Sequence, residues 1–206
     1  MIAFLHTSQA HITRFSELSN NHHLGFEVQH YVNEELLKTA LANGKVDEDA
    51  FIRQIEIIRN AGIEKIICTC STLGSVCDKN GVLRIDRPVV EYMVGKYSKI
   101  GMVYSTTSTK FVSQELIKDC AKDIGKKVTI ESIDCTGCWP DFEKGDKMTY
   151  YQGIKERTLK YMHSVDVIFL AQASMENVRG LLENESVEVL TSPEIGVRTL
   201  LQGHNN

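Results

Sequence analysis

Cys70 lies between Thr69 and Ser71, at the point where the apolar run in EKIICTCSTLG (64–74) breaks into hydroxyl residues. The stretch VDVIFLAQASM (165–175) repeats that pattern with Gln172 where the first has Cys70. A cysteine where a strand gives way to a helix meets free backbone N–H groups and the positive end of the helix dipole. Such surroundings lower a thiol's pKa from its free value of about 8.5 and make thiolate available. A carboxamide has no accessible pKa near neutrality and can only donate and accept hydrogen bonds. The chain therefore writes one local pattern twice and gives ionisable sulfur to only one copy.

Hydroxyl residues cluster where other apolar runs end: Thr7 and Ser8, Ser71 and Thr72, Ser105 to Thr109, Ser174, and Thr191 with Ser192. In open parallel sheets, ligands bind beyond the carboxyl ends of the strands. A helix starting at Ser71 or Thr72, and another near Ser174, would each aim free N–H groups outward, which suits a carboxylate. Two such termini facing each other would hold a small anion from both sides.

The remaining candidates read more simply as structure. Cys68 and Cys120 sit among apolar neighbours and behave as small buried hydrophobes, and Cys77 packs inside its helix. The one CxxC, Cys135 and Cys138, lacks the second knuckle of a structural zinc site and reads as a loop with two buried or half-buried thiols. Asp86 and Arg87 could lie near the ligand site but read at least as well as an exposed ion pair at a helix start. His30 could reach the site from a loop, His22 and His23 read as a solvated turn, and Asn33 and Glu34 could cap a helix.

The elements that must position these residues follow from periodicity. Short apolar runs at 2–5, 65–68, 99–104, 127–133, 166–170 and 187–190 alternate with helical patterns at 47–62, 109–125 and 147–164. Strand and helix in alternation mean parallel sheets covered by helices. Phe51, Ile55 and Ile58 share one face of a helix that ends at Gly62. The segment 25–37 runs from an extended strand into a helix near Asn33, and 84–99 is a helix with Pro88 in its first turn.

Cys70 to Leu73 set against Gln172 to Met175 pairs strand end with strand end. A second pairing sets IAFLHTS (2–8) against IGMVYSTTST (100–109) in the same order. Two matched pairs in order predict two similar α/β halves.

Composition bounds the function. The chain of 206 residues is 42% hydrophobic and 24% charged, a globular balance that excludes a disordered or fibrous protein. A net charge of −4 without long like-charge runs gives no footprint for nucleic acid or an anionic membrane. The N-terminal residues lack a basic n-region and no apolar run approaches the length of a membrane span, so the expected setting is the cytosol, with reduced cysteines.

CTCSTLG, RIDRP, LAQASM and LTSP, in that order, resemble the aspartate/glutamate/hydantoin racemase superfamily, and its branch carrying CSTLG and AQASM in particular. The resemblance runs from the first strand through Pro193. It implies two three-layer α/β halves with parallel sheets, related by a pseudo-twofold axis, with a ligand cleft between them. It also implies that the C-terminal strand and helix return to the first half, giving halves of 1–94 plus 187–206 and 95–186. A homodimer without cofactor or metal is expected.

In racemases of that superfamily a cysteine from each half flanks the α-carbon, one removing a proton and the other returning one. Cys70 matches the first, and Gln172 stands where the second belongs. Two-base racemisation is therefore not expected. The superfamily also includes decarboxylases that protonate an enediolate with a single cysteine and isomerases whose thiolate adds to a double bond. Those decarboxylases keep the cysteine of the second half, whereas this chain keeps the first.

The expected protein is an enzyme acting on a small carboxylate at or next to its α-carbon, with Cys70 as proton donor or nucleophile and Gln172 polarising the opposite side. Ser71, Thr72, Ala173 and Ser174 would anchor the carboxylate, and Thr7, Ser8, Thr106 and Ser192 would complete the pocket wall. The alternatives are a carboxylate-binding protein that has lost turnover and, third, a redox centre at Cys135 and Cys138.

Overall fold

The computed structural model describes residues 1–21, 27–183 and 185–202. His22, His23 and the first two residues of the segment 25–37 lie outside the described residues. The chain divides into two compact units, one of residues 1–88 together with the chain from Pro193 onward, the other of Val89–Ser192.

The first unit runs β1 (Ile2–His6), α1 (Ile12–Asn21), β2 (Val28–Val32), α2 (Glu34–Asn43), α3 (Glu48–Asn60), β3 (Lys65–Cys68), α4 (Gly74–Lys79) and β4 (Leu83–Arg84). Its sheet has the order β2-β1-β3-β4, all parallel. Successive side chains of a strand point to opposite faces. Ala3, Leu5, Ile66 and Cys68 accordingly form one core with Leu36 of α2, Phe51, Ile55 and Ile58 of α3, and Val76 and Cys77 of α4. On the other face Phe4 and His6 pack on Phe15 of α1.

Local signals end these elements where chemistry requires. Asp47 caps α3 through its carboxylate on the Ala50 N–H at 2.9 Å, and Gly62, at φ 82, follows its end. Asn33 precedes α2 but makes no side-chain cap. Its amide nitrogen instead donates to Gln54 Oε1 at 2.9 Å, which ties the end of β2 to α3. The acidic first turn of α2, Glu34 and Glu35, supplies the charge that favours a helix start.

The chain crosses to the second unit within α5 (Arg87–Lys96). There follow β5 (Lys99–Tyr104), α6 (Thr107–Asp123), β6 (Thr129–Asp134), α7 (Trp139–Glu143), α8 (Lys147–Leu159), β7 (Val167–Leu170), α9 (Val178–Leu181) and β8 (Glu188–Thr191). The sheet order is β6-β5-β7-β8, again all parallel. Val103, Ile133, Ile168 and Leu170 build its core with Tyr150 and Ile154 of α8 and Val178 of α9, and α6 packs on β5.

The two sheets have the same topology: a central first strand, the second strand on one side, and the third and fourth on the other. The duplication read from the sequence is thus a duplication of fold.

Both boundaries differ from those expected, and the first unit ends at Pro88 rather than at residue 94. The strand expected to rejoin the first half, β8, pairs in parallel with β7, and its Val189 lies in the second core. The return begins only at Pro193, with α10 (Ser192–Gln202). Gly196 permits the docking of α10, because a Cβ there would lie 2.3 Å from the Ile85 carbonyl oxygen. Lys65 Nζ donates to Leu200 O at 2.6 Å, placing a cation at the carbonyl end of that helix.

Candidate active site

The two copies of the sequence pattern occupy equivalent places. Cys70 follows β3 by two residues and precedes a 3-10 turn at Ser71–Leu73; Gln172 follows β7 by two residues and precedes a 3-10 turn at Ala173–Met175. Both have extended backbone, with φ −103 and ψ 111 at Cys70 and φ −130 and ψ 139 at Gln172. The short apolar strands end the pairing, the small residues allow the tight turn, and the side chain at the junction is left at the carboxyl edge of its sheet.

In the first unit the Thr7 hydroxyl and the backbone N–H groups of Thr72 and Leu73 lie near the Cys70 sulfur and favour thiolate, while the Leu73 N–H donates to the Cys70 carbonyl at 3.1 Å. They do not prevail. Cys70 is half-buried and packs against the first core, and loss of water around its sulfur, reinforced by Cys68, pushes its pKa up to about 12. The lowered pKa expected at a helix start is therefore reversed, and the resting form is the thiol. Cys68 donates from its own sulfur to the Cys70 carbonyl at 3.7 Å. Burial likewise pushes the Cys77 thiol up.

Ser71 and Thr72 are buried beside it, while Ser8 turns its hydroxyl to its own turn and accepts from the Ala10 N–H at 3.3 Å. Gly74 lets the turn rest on Arg84, whose guanidinium carbon would lie 2.3 Å from a Cβ there. Arg84 is held by both oxygens of Asp86 at 2.9 Å and by Asp78 at 2.9 Å. The pair expected on the surface is thus different: Asp86 is 1% exposed and bonds Arg84, and Arg87 bonds Asp78.

Behind Thr69 lies a polar chain that sequence reasoning missed. His6 Nδ1 bonds Thr69 Oγ1 at 2.8 Å, His6 Nε2 bonds His30 Nδ1 at 2.9 Å, and His30 Nε2 bonds Ser16 Oγ at 3.0 Å. The two imidazoles lie edge to edge with their planes 15° apart and centroids 5.2 Å apart, and His6 and His30 both neighbour Phe4. His30 therefore sits on β2 with its ring turned to His6, rather than reaching from a loop. Burial, with His30 and His11 nearby, lowers the His6 pKa to about 3, and burial lowers that of His30. Both act as neutral hydrogen-bonding rings that tie the end of β1 and the middle of β2 to the residue before Cys70.

In the second unit Gln172 is buried, and its Oε1 accepts from the Ser105 N–H at 2.7 Å and from the Ser105 hydroxyl at 3.0 Å. An N–H donor at 2.7 Å must face the amide oxygen, so Nε2 is turned the other way. Ser105 Oγ also lies 3.0 Å from the Tyr150 hydroxyl, which lies 3.0 Å from Ser174 Oγ. Ser105 belongs to the strand-end hydroxyl cluster expected from the sequence, whereas Tyr150 was not anticipated, because it reads in sequence as one more apolar position of a helical stripe.

Ala173 begins the turn after Gln172. Thr106 spends its hydroxyl locally, donating to Thr109 Oγ1 at 3.0 Å and accepting from Ser108 at 3.3 Å. Ser192 Oγ is buried without a partner among the described residues. Thr7, Ser8, Cys70, Ser71 and Thr72 thus gather at one edge of the first sheet, and Thr106, Gln172, Ala173 and Ser174 at the equivalent edge of the second.

Cys135 and Cys138 are free and buried in a 3-10 turn at Thr136–Cys138 leading into α7. Burial pushes Cys135 up to about 12 and raises Cys138, which makes both poor redox nucleophiles. Among the described residues no group of three or more His, Cys, Asp or Glu side chains could hold a metal ion, and no helix is long and apolar enough to cross a membrane.

Solved structures resemble the chain over its whole length. A glutamate racemase of Bacillus anthracis superposes with a TM-score of 0.72 at 16% identity, covering 100% of this chain and 82% of that one. The aspartate racemase of Picrophilus torridus gives 0.70 at 15% identity over 98% of this chain and 93% of its own. The chain has the racemase fold. A variant of arylmalonate decarboxylase shares it, with a TM-score of 0.56 at 10% identity, covering 100% of this chain and 94% of that one. No family model and no curated protein sequence matches the chain.

Proposed function

We propose that this racemase-fold protein is a cofactor-independent, isomerase- or decarboxylase-like enzyme acting on a small carboxylate at or next to its α-carbon. In the decarboxylase form the bond to a carboxyl group breaks, CO2 leaves its electron pair in an enediolate, and Cys70, the single acid, gives the carbon a proton and is reprotonated from water. The observation that carries the reading is the asymmetry of two equivalent positions: a protonated thiol at one, a carboxamide with its oxygen occupied at the other. A thiol held protonated is suited to giving a proton to an enediolate or carbanion. The thiolate left behind would be favoured by the neighbouring Thr7 hydroxyl and the backbone N–H groups of Thr72 and Leu73. That supports proton donation over the nucleophilic alternative, which needs thiolate at the start.

Gln172 cannot exchange protons, but its Nε2 hydrogens can bind a carboxylate or enolate oxygen. With Oε1 fixed from two directions the amide needs no reorganisation as charge develops. Ser71, Thr72, Ala173 and Ser174 would contribute carboxylate contacts through backbone N–H or hydroxyl groups, and Thr7, Ser8, Thr106 and Ser192 the wall. A homodimer is part of this reading.

The test is conversion or α-proton exchange followed by NMR in heavy water across amino acids, hydroxy acids, malonates and unsaturated diacids, for wild type and Cys70→Ser. Turnover that disappears in Cys70→Ser is expected; turnover equal in the two proteins would refute the role of Cys70. The missing second acid favours one rival, a carboxylate-binding protein without turnover. It predicts melting temperatures raised by some of these compounds with no conversion of any.

A further inference from the structure

The hydrogen bonds around Tyr150 run in one direction only. Gln172 Oε1 is an acceptor, so the Ser105 hydroxyl, 3.0 Å away, must donate to it. Ser105 Oγ then has no hydrogen left for Tyr150 and accepts from the phenol at 3.0 Å. Tyr150 has thereby spent its only hydrogen, and its oxygen accepts from the Ser174 hydroxyl at 3.0 Å. The order is Ser174 to Tyr150 to Ser105 to Gln172, and no bond can be reversed without leaving two oxygens face to face with no hydrogen between them. Tyr150 and Ser105 are fully buried, which makes an unmade bond in this chain costly.

We infer that Tyr150 is a positioning residue that sets the polarity of the second unit's binding edge, leaving Gln172 Nε2 as a donor and the Ser174 hydroxyl as an acceptor. This rests on the carboxylate reading above and sharpens it. The Ser174 hydroxyl hydrogen is committed inward, so its oxygen cannot serve a bare carboxylate, which carries only acceptors. The complementary ligand has an acceptor for Gln172 and, beside it, a donor for Ser174: a carboxylate with an adjacent hydroxyl or ammonium group in preference to an unsubstituted diacid.

The test compares affinities for malonate and hydroxymalonate, which differ by that one hydroxyl, in wild type, Tyr150→Phe and Ser174→Ala. Wild type is expected to prefer hydroxymalonate about tenfold, the worth of one neutral hydrogen bond. Both variants are expected to bring the ratio to within about twofold of unity, since Tyr150→Phe frees the Ser174 hydrogen and Ser174→Ala removes the acceptor. A merely structural role for Tyr150 would weaken both ligands together and leave their ratio alone. Ser174→Ala, at a half-buried site, keeps the test open if Tyr150→Phe does not fold. A ratio near one in wild type, or a preference unmoved in the folded variants, overturns the inference while the carboxylate reading stands. Binding of neither compound to wild type overturns both.

Discussion

The buried imidazole of His6 makes stability depend on pH in a range where few other groups titrate. His6 is 0% exposed, and its pKa falls from 6.5 to about 3 on folding. Between those values the unfolded chain takes up a proton that the folded chain refuses. The stabilisation is therefore complete above pH 6.5 and is lost as pH falls toward 3. The loss amounts to about 1.4 kcal/mol per pH unit, about 2 kcal/mol by pH 5 and about 5 kcal/mol over the whole interval. The carboxylates with lowered pKa, Asp134, Asp146, Asp166 and Glu188, lose their contribution only at lower pH, because their ordinary values are 3.8 to 4.5. Urea unfolding of wild type and His6→Gln at intervals from pH 7.5 to 5 isolates the effect, since glutamine keeps hydrogen-bonding groups but does not titrate. The variant is less stable at pH 7.5, and the gap should close by about 2 kcal/mol by pH 5. A gap constant across that range would refute the neutral-histidine account. His30, lowered in the same direction, is common to both proteins.

Gln172→Glu keeps an acceptor for both Ser105 donors but replaces the outward donor with a charge, so the fold should survive while carboxylate affinity at pH 7 drops roughly 10- to 100-fold; calorimetry with hydroxymalonate measures it, and unchanged affinity would remove Gln172 from the site. Alkylation of Cys70 by iodoacetamide, read by mass spectrometry, should rise about tenfold per pH unit from pH 7.5 to 9.5 with no plateau, whereas a plateau near 8.5 would mean a thiol of ordinary acidity. Gly196→Ala puts a carbon against the Ile85 carbonyl and should cost about 1–3 kcal/mol in urea unfolding, with a change below about 0.5 kcal/mol contradicting the close docking of α10.

Much of this architecture was legible because buried parallel strands appear as unbroken apolar runs. The residues 65–68 and 99–104 are strands from end to end, and the helix after Asp47 buries Phe51, Ile55 and Ile58 as its spacing requires. The two residues of β4 are too few to carry a period. For β8, the run VEVL states that a strand exists but not which sheet receives it, since pairing is settled by packing far along the chain. The positions of Cys70 and Gln172 followed from the repeat. The acidity of Cys70 did not, because a helix start and burial act in opposite directions and only the packing around the sulfur decides between them. His6, Thr69 and His30 are joined by bonds spanning 24 and 63 residues, and the donor order through Tyr150 depends on one amide oxygen. Neither leaves a local pattern.

The central claim is that one cysteine supplies the only exchangeable proton at the reacting carbon. Its most direct test is the stereochemistry of deuterium in the product formed in heavy water from whichever carboxylate is turned over. The account predicts deuterium on a single face, giving one enantiomer, and none above background with Cys70→Ser. A racemic labelled product, or label incorporated without Cys70, would contradict it.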